Sequence, residues 1–320
     1  MGRHVVLGAG PVGSAIASDL LGRGENVTVV TRSGGGPEGA DRVRADVADA
    51  PALSAIAEGA DVIYNALNPA DYNAWPTTWP PLAASILTAA EHSGAVVAVV
   101  DNLYPFGPVD VPMSAALPDR PSSIKGTIRM KMWQDLLAAA ESGRITSAVA
   151  VRGSDYVGAG PSLHSLLAYA RISQGKRAFI PADLDAPHTW TNPADAGRLL
   201  VNAALDEGAH GRYWMVPSAP ATSVRGIADQ AATIAGWPPV KLSHLPSAAV
   251  RGAGLFNSMA KATLEMAYQF HRPFLIDASE TAARFGGAFT PLDESLRQNL
   301  ADAGYPMGGV SRPGEEELAS

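Results

Sequence analysis

The sequence predicts an α/β protein with a doubly wound parallel sheet and a smaller, mostly helical C-terminal lobe. Short apolar runs rich in β-branched residues alternate with amphipathic segments of helical length as far as residue 151. A glycine-rich turn follows directly after the first of these runs, at residues 8–13. The chain has 320 residues, of which 47% are hydrophobic and 17% charged, so it can bury a core of the size that this fold needs.

The first unit, residues 5–31, determines the rest of the prediction. An apolar run, the turn Gly-Ala-Gly-Pro-Val-Gly, an amphipathic segment and a second β-branched run follow one another, which is typical of a Rossmann dinucleotide-binding domain. The first glycine allows the tight turn, the second lets the backbone approach a pyrophosphate, and the third lets the helix pack close to the strand. The positive end of the helix dipole then favours the phosphates. The predicted phosphate-binding residues are Gly8, Gly10, Pro11, Val12 and Gly13.

The end of the second strand indicates which dinucleotide is bound. NAD-binding domains carry an acidic residue about 20 residues after the glycines, where it holds the ribose hydroxyls. Here the strand ends with Thr31, Arg32 and Ser33, and Thr31 stands where the acid would be. The planar guanidinium of Arg32 can pair with a 2′-phosphate. The sequence therefore favours NADPH over NADH.

The remaining elements of the first domain follow in order. Strands are predicted at 41–44, 61–66, 95–100 and 145–151, and helices at 51–58, 80–92 and 127–141. Because parallel strands end at the same edge of a sheet, residues just after them are expected near the cofactor. Asp46 is predicted to bind the adenine amino group. Asn65, Ala66 and Asp155 are also placed among the cofactor-binding residues.

After about residue 153 the alternation of strands and helices ends. Helical patterns occur at 161–172, 193–206, 222–235 and 247–268, with short strand-like pieces between them. We predict a dinucleotide-binding domain over 1–160, a substrate lobe over 161–305 interleaved with the last strands of the sheet, and a loose polar tail over 306–320. The aromatic content of the lobe, which includes Trp190 and Phe256, suits a flat apolar ligand.

Charge and composition exclude several classes of function. The net charge of −7 argues against a nucleic-acid partner, and the chain contains no cysteine for a disulfide, a thiolate metal site or a nucleophile. The seven histidines have no metal-ligand spacing. No signal peptide precedes the first strand and no apolar run is long enough to cross a bilayer, so we expect a cytoplasmic protein without a metal or a membrane partner.

Four further segments, together with the glycine motif, resemble a known family. Each follows a predicted strand or begins a predicted helix. They are residues 101–107 (DNLYPFG), 121–129 (PSSIKGTIR), 151–158 (VRGSDYVG) and 188–197 (HTWTNPADAG). In this order they resemble the extended and atypical short-chain dehydrogenase/reductases, the group of NAD-dependent epimerase/dehydratase-like proteins. The resemblance covers most of the chain and implies the same fold.

The catalytic positions depart from the pattern of that family. The resemblance places Asn102 where the family has a serine or threonine, Lys125 at its tyrosine and Arg129 at its lysine. A second register sets Lys125 at the lysine and Pro121 at the tyrosine. Both registers lack the tyrosine that protonates the forming alcohol. As a cation Lys125 can stabilise a developing alkoxide, and Arg129 can hold the nicotinamide ribose.

Three hypotheses about function follow from the resemblance. The first is an NADPH-dependent ketoreductase acting on a polycyclic aromatic, polyketide-type ketone whose own phenol or water supplies the proton, as in the atypical polyketide-tailoring reductases. The second is a non-catalytic NADP(H)-binding regulator. A sugar-nucleotide epimerase or dehydratase is ranked last, since those reactions need the tyrosine as a base.

The substrate and a possible partner chain complete the predictions. The residues expected near an aromatic ketone are Tyr104, Tyr156, His188, Trp190 and Phe256. Tyr104 and Tyr156 follow strands that end near the nicotinamide, so either could replace the missing acid. The helices around 80–92 and 127–141 are expected to form the face of a homodimer, as the resemblance implies.

Overall fold

A parallel sheet flanked by helices on both faces forms the centre of the molecule. The structure, a computed structural model, describes residues 1–162, 168–246 and 264–305. In these residues the strands are β1 Arg3–Leu7, β2 Asn26–Thr31, β3 Asp41–Arg44, β4 Val62–Asn65, β5 Val96–Asn102, β6 Ser147–Gly153, β7 Asp155–Tyr156, β8 Ala178–Ile180, β9 Trp190–Thr191, β10 Tyr213–Met215 and β11 Leu242–His244. The helices are α1 Pro11–Gly22, α2 Ala50–Ala57, α3 Trp75–Ser93, α4 Ile124–Glu141, α5 Ala170–Ile172, α6 Pro193–Ala204, α7 Val224–Ala235, α8 Ser279–Phe285 and α9 Leu292–Asp302.

The strand order confirms the predicted doubly wound sheet. Seven of the described strands pair in parallel in the order β10-β6-β5-β4-β1-β2-β3. The chain moves outward from β1 to β2 and β3 on one side and to β4, β5 and β6 on the other. The switch point of the topology therefore lies at the carboxyl end of β1, where this class of fold binds its ligands.

Alternate residues of each strand face opposite layers of helices. Val6 of β1 belongs to a core shared with α1 and α6, whereas Val5 and Leu7 face a core shared with α2, α3 and α4. Side chains of α1 such as Ile16 and Leu20 are completely buried in the first core. Each such burial contributes about 1.5–3 kcal/mol, so the amphipathic pattern of α1 is enough to fix the helix over the glycine turn.

Helix α3 begins five residues before its predicted start, at Trp75 rather than at residue 80. Pro80 and Pro81 lie inside the helix, where each removes a backbone donor. Trp75 and Trp79 are fully buried, and their packing offsets these missing hydrogen bonds. Helix α4 also begins early, because the Ser123 hydroxyl caps it by accepting a hydrogen bond from the Gly126 N–H at 2.9 Å.

The C-terminal half contributes both to the sheet and to a separate core. Strand β10 pairs with β6, and α6 packs against α1. A further core gathers α7, α9 and β8 around Tyr169 and Trp190. Phe256, the tail 306–320 and most of the predicted helix 247–268 lie outside the described residues. No helix among the residues described is long and apolar enough to cross a membrane.

Candidate active site

The turn after β1 forms a tight backbone cradle. Gly8 has φ +97°, and a Cβ atom there would lie 3.1 Å from the Ala66 carbonyl oxygen. A Cβ atom on Gly13 would overlap the carbonyl oxygen of Gly8, so the start of α1 touches the end of β1. Around Gly10, by contrast, the space that a Cβ would occupy is open. The Gly10 carbonyl accepts its hydrogen bond from the Ser14 N–H, which leaves the earlier N–H groups of α1 free for an anion. The cradle therefore fits a pyrophosphate.

Two arginines end adjacent strands at the outer part of this edge. Strands β2 and β3 pair with Thr31 opposite Arg44. The Thr31 hydroxyl donates to the Gly35 carbonyl at 3.0 Å and fixes the loop that carries Arg32. Both Arg32 and Arg44 are exposed, and neither makes a hydrogen bond or an ion pair with a described residue. Arg44 was not among the predicted site residues. Pairing the predicted third strand with the second would have placed it at this edge of the sheet.

The other predicted cofactor residues lie along the same edge of the sheet. The Asp46 carboxylate is exposed and accepts from the Ala48 N–H at 3.0 Å, which holds the turn after β3. The buried Asn65 side chain accepts from the Leu67 N–H at 3.2 Å. Ala66 continues the strand, since its N–H donates to the Leu7 carbonyl. These contacts hold the loops that follow β3 and β4 at the carboxyl edge of the sheet. Direct contacts of these residues with a dinucleotide stay a prediction.

Lys125 is buried at the start of α4, and its side-chain relative exposure is 5%. Its ammonium forms an ion pair with the Glu265 carboxylate. Its backbone N–H donates to the other oxygen of the same carboxylate at 3.3 Å. The ammonium lies 6.0 Å from the centre of the Tyr72 ring. Glu265 belongs to the distant C-terminal segment, so no local pattern in the sequence pointed to it.

Arg129 lies one helical turn further along α4 and is equally engaged. Its Nε donates to Oδ1 of Asp101 at 2.7 Å, and one Nη donates to the Val100 carbonyl at 2.6 Å. The guanidinium carbon is 4.8 Å from the centre of the Trp79 ring. Arg129 is therefore held beside the carboxyl end of β5, and its correspondence to the lysine of the family stays a prediction.

A second arginine shares the same carboxylate. Arg152 has no exposed surface, and its Nε donates to the other oxygen of Asp101 at 2.9 Å. Its two terminal nitrogens donate to the Asp119 carboxylate at 2.6 and 3.0 Å. Burial would raise the pKa of Asp101, but the two arginine charges hold it below its ordinary value. Arg129, Asp101, Arg152 and Asp119 form a buried chain of alternating charges, which we call the ionic chain.

Several tyrosine hydroxyls converge near Lys125 and the ionic chain. The Tyr104 hydroxyl is 3.3 Å from that of Tyr72, and the Tyr104 N–H donates to the Asn102 side-chain oxygen at 3.1 Å. Burial, with smaller contributions from Tyr72 and Asp155, raises the pKa of Tyr104 well above its usual value. Burial likewise raises the pKa of Tyr156, whose buried hydroxyl has no hydrogen-bond partner among the described residues. The raised pKa values keep these phenols protonated, so each hydroxyl can donate a hydrogen bond and can also accept one.

Asp155 and His188 form a pair just beyond the end of β6. Oδ2 of Asp155 lies 2.8 Å from Nε2 of His188, and Oγ of Ser154 lies 3.4 Å from the same nitrogen. Because serine and aspartate share one imidazole nitrogen, the imidazole cannot relay a proton between them, and this group is not a nucleophilic triad. The His188 ring is buried against Trp190, with 4.2 Å between ring centres.

The Trp190 side chain is held in place by its contacts with the core of the C-terminal half. Its Nε1 donates to the Thr222 carbonyl at 2.9 Å, and its side chain is buried in the core around α7. Its predicted contact with substrate, like that of Phe256 outside the described residues, stays a prediction. The part of the chain that the structure describes contains no group of three or more histidine, aspartate or glutamate side chains that could hold a metal ion.

Comparisons with known proteins agree with this architecture. Solved structures with the same fold include the UDP-glucose 4-epimerase of Brucella ovis in complex with NAD, which is 19% identical with a TM-score of 0.77 over 96% of this chain and 100% of that one. MoeE5 in complex with UDP-glucose and NAD is 21% identical, with a TM-score of 0.75 over 94% of this chain and 98% of that one. The UDP-glucuronic acid 4-epimerase of Bacillus cereus in complex with NAD is 16% identical, with a TM-score of 0.75 over 94% and 96%.

The sequence comparisons give the family. No curated protein sequence matches this chain. The model of the NAD dependent epimerase/dehydratase family matches residues 4–216, which is more than half of the chain and includes the glycine turn, Lys125 and the ionic chain. The chain belongs to the NAD dependent epimerase/dehydratase family.

Proposed function

We propose that this protein is an NADPH-dependent ketoreductase that reduces a ketone on a flat, polycyclic aromatic or polyketide-type compound. The resemblance to atypical polyketide-tailoring reductases, such as an angucyclinone 7-ketoreductase, motivates this proposal. The observation that carries it is the neutralisation of the cations at the strand ends. Lys125, Arg129 and Arg152 are each paired with a buried or half-buried carboxylate.

These pairings favour an uncharged substrate. A nucleotide diphosphate is best bound by cations whose donors are free to reach its oxygens. Here Lys125 is paired with Glu265. Arg129 is paired with Asp101, and Arg152 is paired with both Asp101 and Asp119. The Asp155 carboxylate adds a negative charge to the same edge. Although the solved relatives bind UDP-sugars, the described residues suit a neutral aromatic ligand better.

The cofactor proposal depends on the unpaired arginines at the ends of β2 and β3. Arg32 and Arg44 are both exposed, Arg44 pairs with Thr31 in the register of the two strands, and no carboxylate stands at Thr31 to bind the ribose hydroxyls of NAD. Guanidinium groups bind phosphate through two parallel hydrogen bonds, and a 2′-phosphate is the group that distinguishes NADPH from NADH. When it is bound, the dihydronicotinamide supplies the hydride.

The proton is proposed to come from the substrate or from water. Burial raises the pKa values of Tyr104, Tyr156 and Tyr268, so none of these phenols is a ready base for removing a proton from a sugar hydroxyl. Reduction of a ketone needs no such base. A phenol next to the carbonyl can protonate the new alkoxide once Lys125 has stabilised the negative charge.

A non-catalytic NADP(H)-binding regulator is the alternative function. The specific observation in its favour is that Lys125 and Arg129 are already engaged by protein carboxylates. Such a protein would bind the cofactor through the glycine cradle and would use the bound state to contact a partner.

The consumption of NADPH with a panel of aromatic ketones tests these alternatives. Half of the panel carries a phenol next to the carbonyl and half lacks it. We expect turnover only with the phenol-flanked ketones, since the protein provides no easily ionised acid. Tight NADPH binding without oxidation on any ketone would favour the regulator, and turnover of a UDP-sugar would contradict the proposal.

A further inference from the structure

We infer that Glu265 positions the Lys125 ammonium against the oxygen of the bound ketone. This inference rests on the proposed ketoreductase function and adds to it a residue that holds the cation from the other half of the chain. Glu265 is separated from Lys125 by 140 positions and lies beyond residues 4–216, which the family model matches.

The contact between the two residues fixes the lysine in two places. One carboxylate oxygen of Glu265 accepts from the Lys125 backbone N–H at 3.3 Å, and the other accepts from its ammonium. The side-chain relative exposure is 5% for Lys125 and 25% for Glu265. An ammonium that is buried without a counter-charge is strongly destabilising. The partly exposed Glu265 carboxylate supplies this counter-charge to the Lys125 ammonium, which is largely shielded from solvent.

The segment that carries Glu265 is firmly attached to the rest of the site. The Phe274 carbonyl accepts from the Thr189 N–H at 2.9 Å, next to His188. The Leu275 carbonyl accepts from the Met113 N–H at 2.7 Å, and the Asp277 N–H donates to the Met113 carbonyl at 2.8 Å. Phe274 lies nine residues after Glu265, so these backbone hydrogen bonds anchor the stretch of chain that follows Glu265.

The pairing leaves the ammonium able to bind a substrate oxygen. An ammonium has three N–H donors, and Glu265 is the only acceptor found for them among the described residues. The Tyr72 ring, whose hydroxyl is 3.3 Å from that of Tyr104, borders the same space. A planar aromatic ketone can lie against this ring with its carbonyl oxygen towards the free donors.

The chemistry balances without a proton from the lysine. The carbonyl carbon gains a C–H bond, and the electron pair of the C=O π bond moves onto the oxygen. The ammonium stabilises this alkoxide, which then takes a proton from the phenol of the substrate or from water. The ketone is reduced and the dihydronicotinamide, the two-electron donor of the proposed function, is oxidised. Lys125 stays an ammonium throughout, held by Glu265.

Variants of Glu265 test whether it positions the lysine. We expect Glu265→Gln to lower kcat for a phenol-flanked ketone by roughly 10- to 100-fold, since small misplacements of a catalytic group have effects of this size. The KM for NADPH should stay within about threefold, because Glu265 contacts Lys125 and the loss of an interaction made only in the transition state lowers kcat without raising KM. Glu265→Asp, which keeps the charge, should recover part of kcat. Glu280→Gln is the matched control, since it removes an exposed carboxylate that pairs with Arg212 at 2.7 Å.

A second set of measurements separates positioning from a structural role. Lys125→Ala should lower kcat by about 100-fold, as expected for the loss of one oxyanion-stabilising group, and the double variant with Glu265→Gln should be no slower. Binding of the ketone without cofactor, measured by calorimetry, should change little in Glu265→Gln. A lower thermal midpoint with unchanged kcat, or a failure of Glu265→Asp to exceed Glu265→Gln, would overturn the inference while leaving the ketoreductase in place. If the wild-type protein reduces no ketone, the proposed function fails and this inference fails with it.

Discussion

Arg32 is the residue at which cofactor choice can be tested most directly. Arg32→Asp should weaken NADPH binding by about 10- to 100-fold, because hydrogen bonds to charged groups contribute about 1.5–3 kcal/mol. NADH binding should change much less, since the new carboxylate can accept from ribose hydroxyls. Equilibrium titration with both dinucleotides measures the two effects.

Two further variants complete that measurement. Arg44→Ala tests the neighbouring guanidinium, which the pairing of β2 with β3 places opposite Thr31. Lys176→Asp makes the same change of charge at an exposed position on the C-terminal lobe and should leave both dinucleotides unaffected. Equal losses of NADPH and NADH affinity in Arg32→Asp would show that Arg32 does not bind the 2′-phosphate.

The residues of the candidate site were predictable to different degrees. Gly8, Gly10 and Gly13 could be found because their spacing reflects a local turn whose backbone geometry needs glycine. Glu265 and Asp119 could not, because each meets its arginine or lysine partner only through the folded chain. The sequence placed Lys125 and Arg129 at the site but gave no sign that carboxylates hold both of them.

At the scale of elements, α3 and α4 form a face with an apolar cavity of about 350 Å³ between them. The lining is mostly apolar and includes Ala83, Leu87, Met132 and Leu136. Charged side chains also line it, namely those of Asp101, Arg129, Lys131, Asp135 and Arg144. We propose that a second copy of the chain packs on this face, as the resemblance to the family implies. Filling a cavity of this kind with apolar side chains from a partner would stabilise the dimer.

Met132→Glu tests the proposed dimer. A carboxylate at this position would lose its hydration when a partner chain covers the face, so the variant should be monomeric at concentrations where the wild type is dimeric. Size-exclusion chromatography with light scattering reports the mass. Phe179→Glu, which changes an aromatic ring 51% exposed on β8, is the control and should leave the mass unchanged. A monomeric wild type, or a dimeric Met132→Glu, would contradict the proposal.

The elements themselves were largely predictable from periodicity. Strands β1, β2, β4, β5 and β6 each contain an apolar run, and such runs are typical of buried parallel strands. Strand β3 is the polar, exposed edge strand DRVR and lacks this signal. The start of α3 was wrong because Pro80 resembles a first-turn proline, whereas the buried Trp75 and Trp79 extend the helix upstream. Tertiary packing outweighed the local signal there.

At the scale of the whole molecule, the ionic chain joins β5, α4, β6 and the loop at Asp119. Asp101→Asn should lower the free energy of unfolding at pH 7 by roughly 3–5 kcal/mol, as found when one partner of a buried ion pair is removed. Urea unfolding followed by circular dichroism measures this difference. Asp185→Asn, which removes an exposed partner of Arg225, is the matched control and should change stability little.

The same chain predicts how stability depends on pH. The folded pKa of Asp101 lies below its unfolded value, so its contribution is complete above the unfolded pKa of about 3.9 and is lost as pH falls through the folded value. Between pH 7 and pH 3 the wild type should therefore lose more stability than Asp101→Asn. Parallel losses in the two proteins would show that Asp101 is not the titrating group.

The pairing of Lys125 with Glu265 also restricts how this chain could evolve. In the register that aligns Lys125 with the tyrosine of the family, a single substitution of Lys125 by tyrosine would leave the Glu265 carboxylate without its cation. A substitution of Glu265 alone would leave the Lys125 ammonium, which is only 5% exposed, without a counter-charge. Each of these single substitutions leaves one charge of the pair without its partner and so passes through a less stable protein. The two positions are therefore expected to change together in evolution.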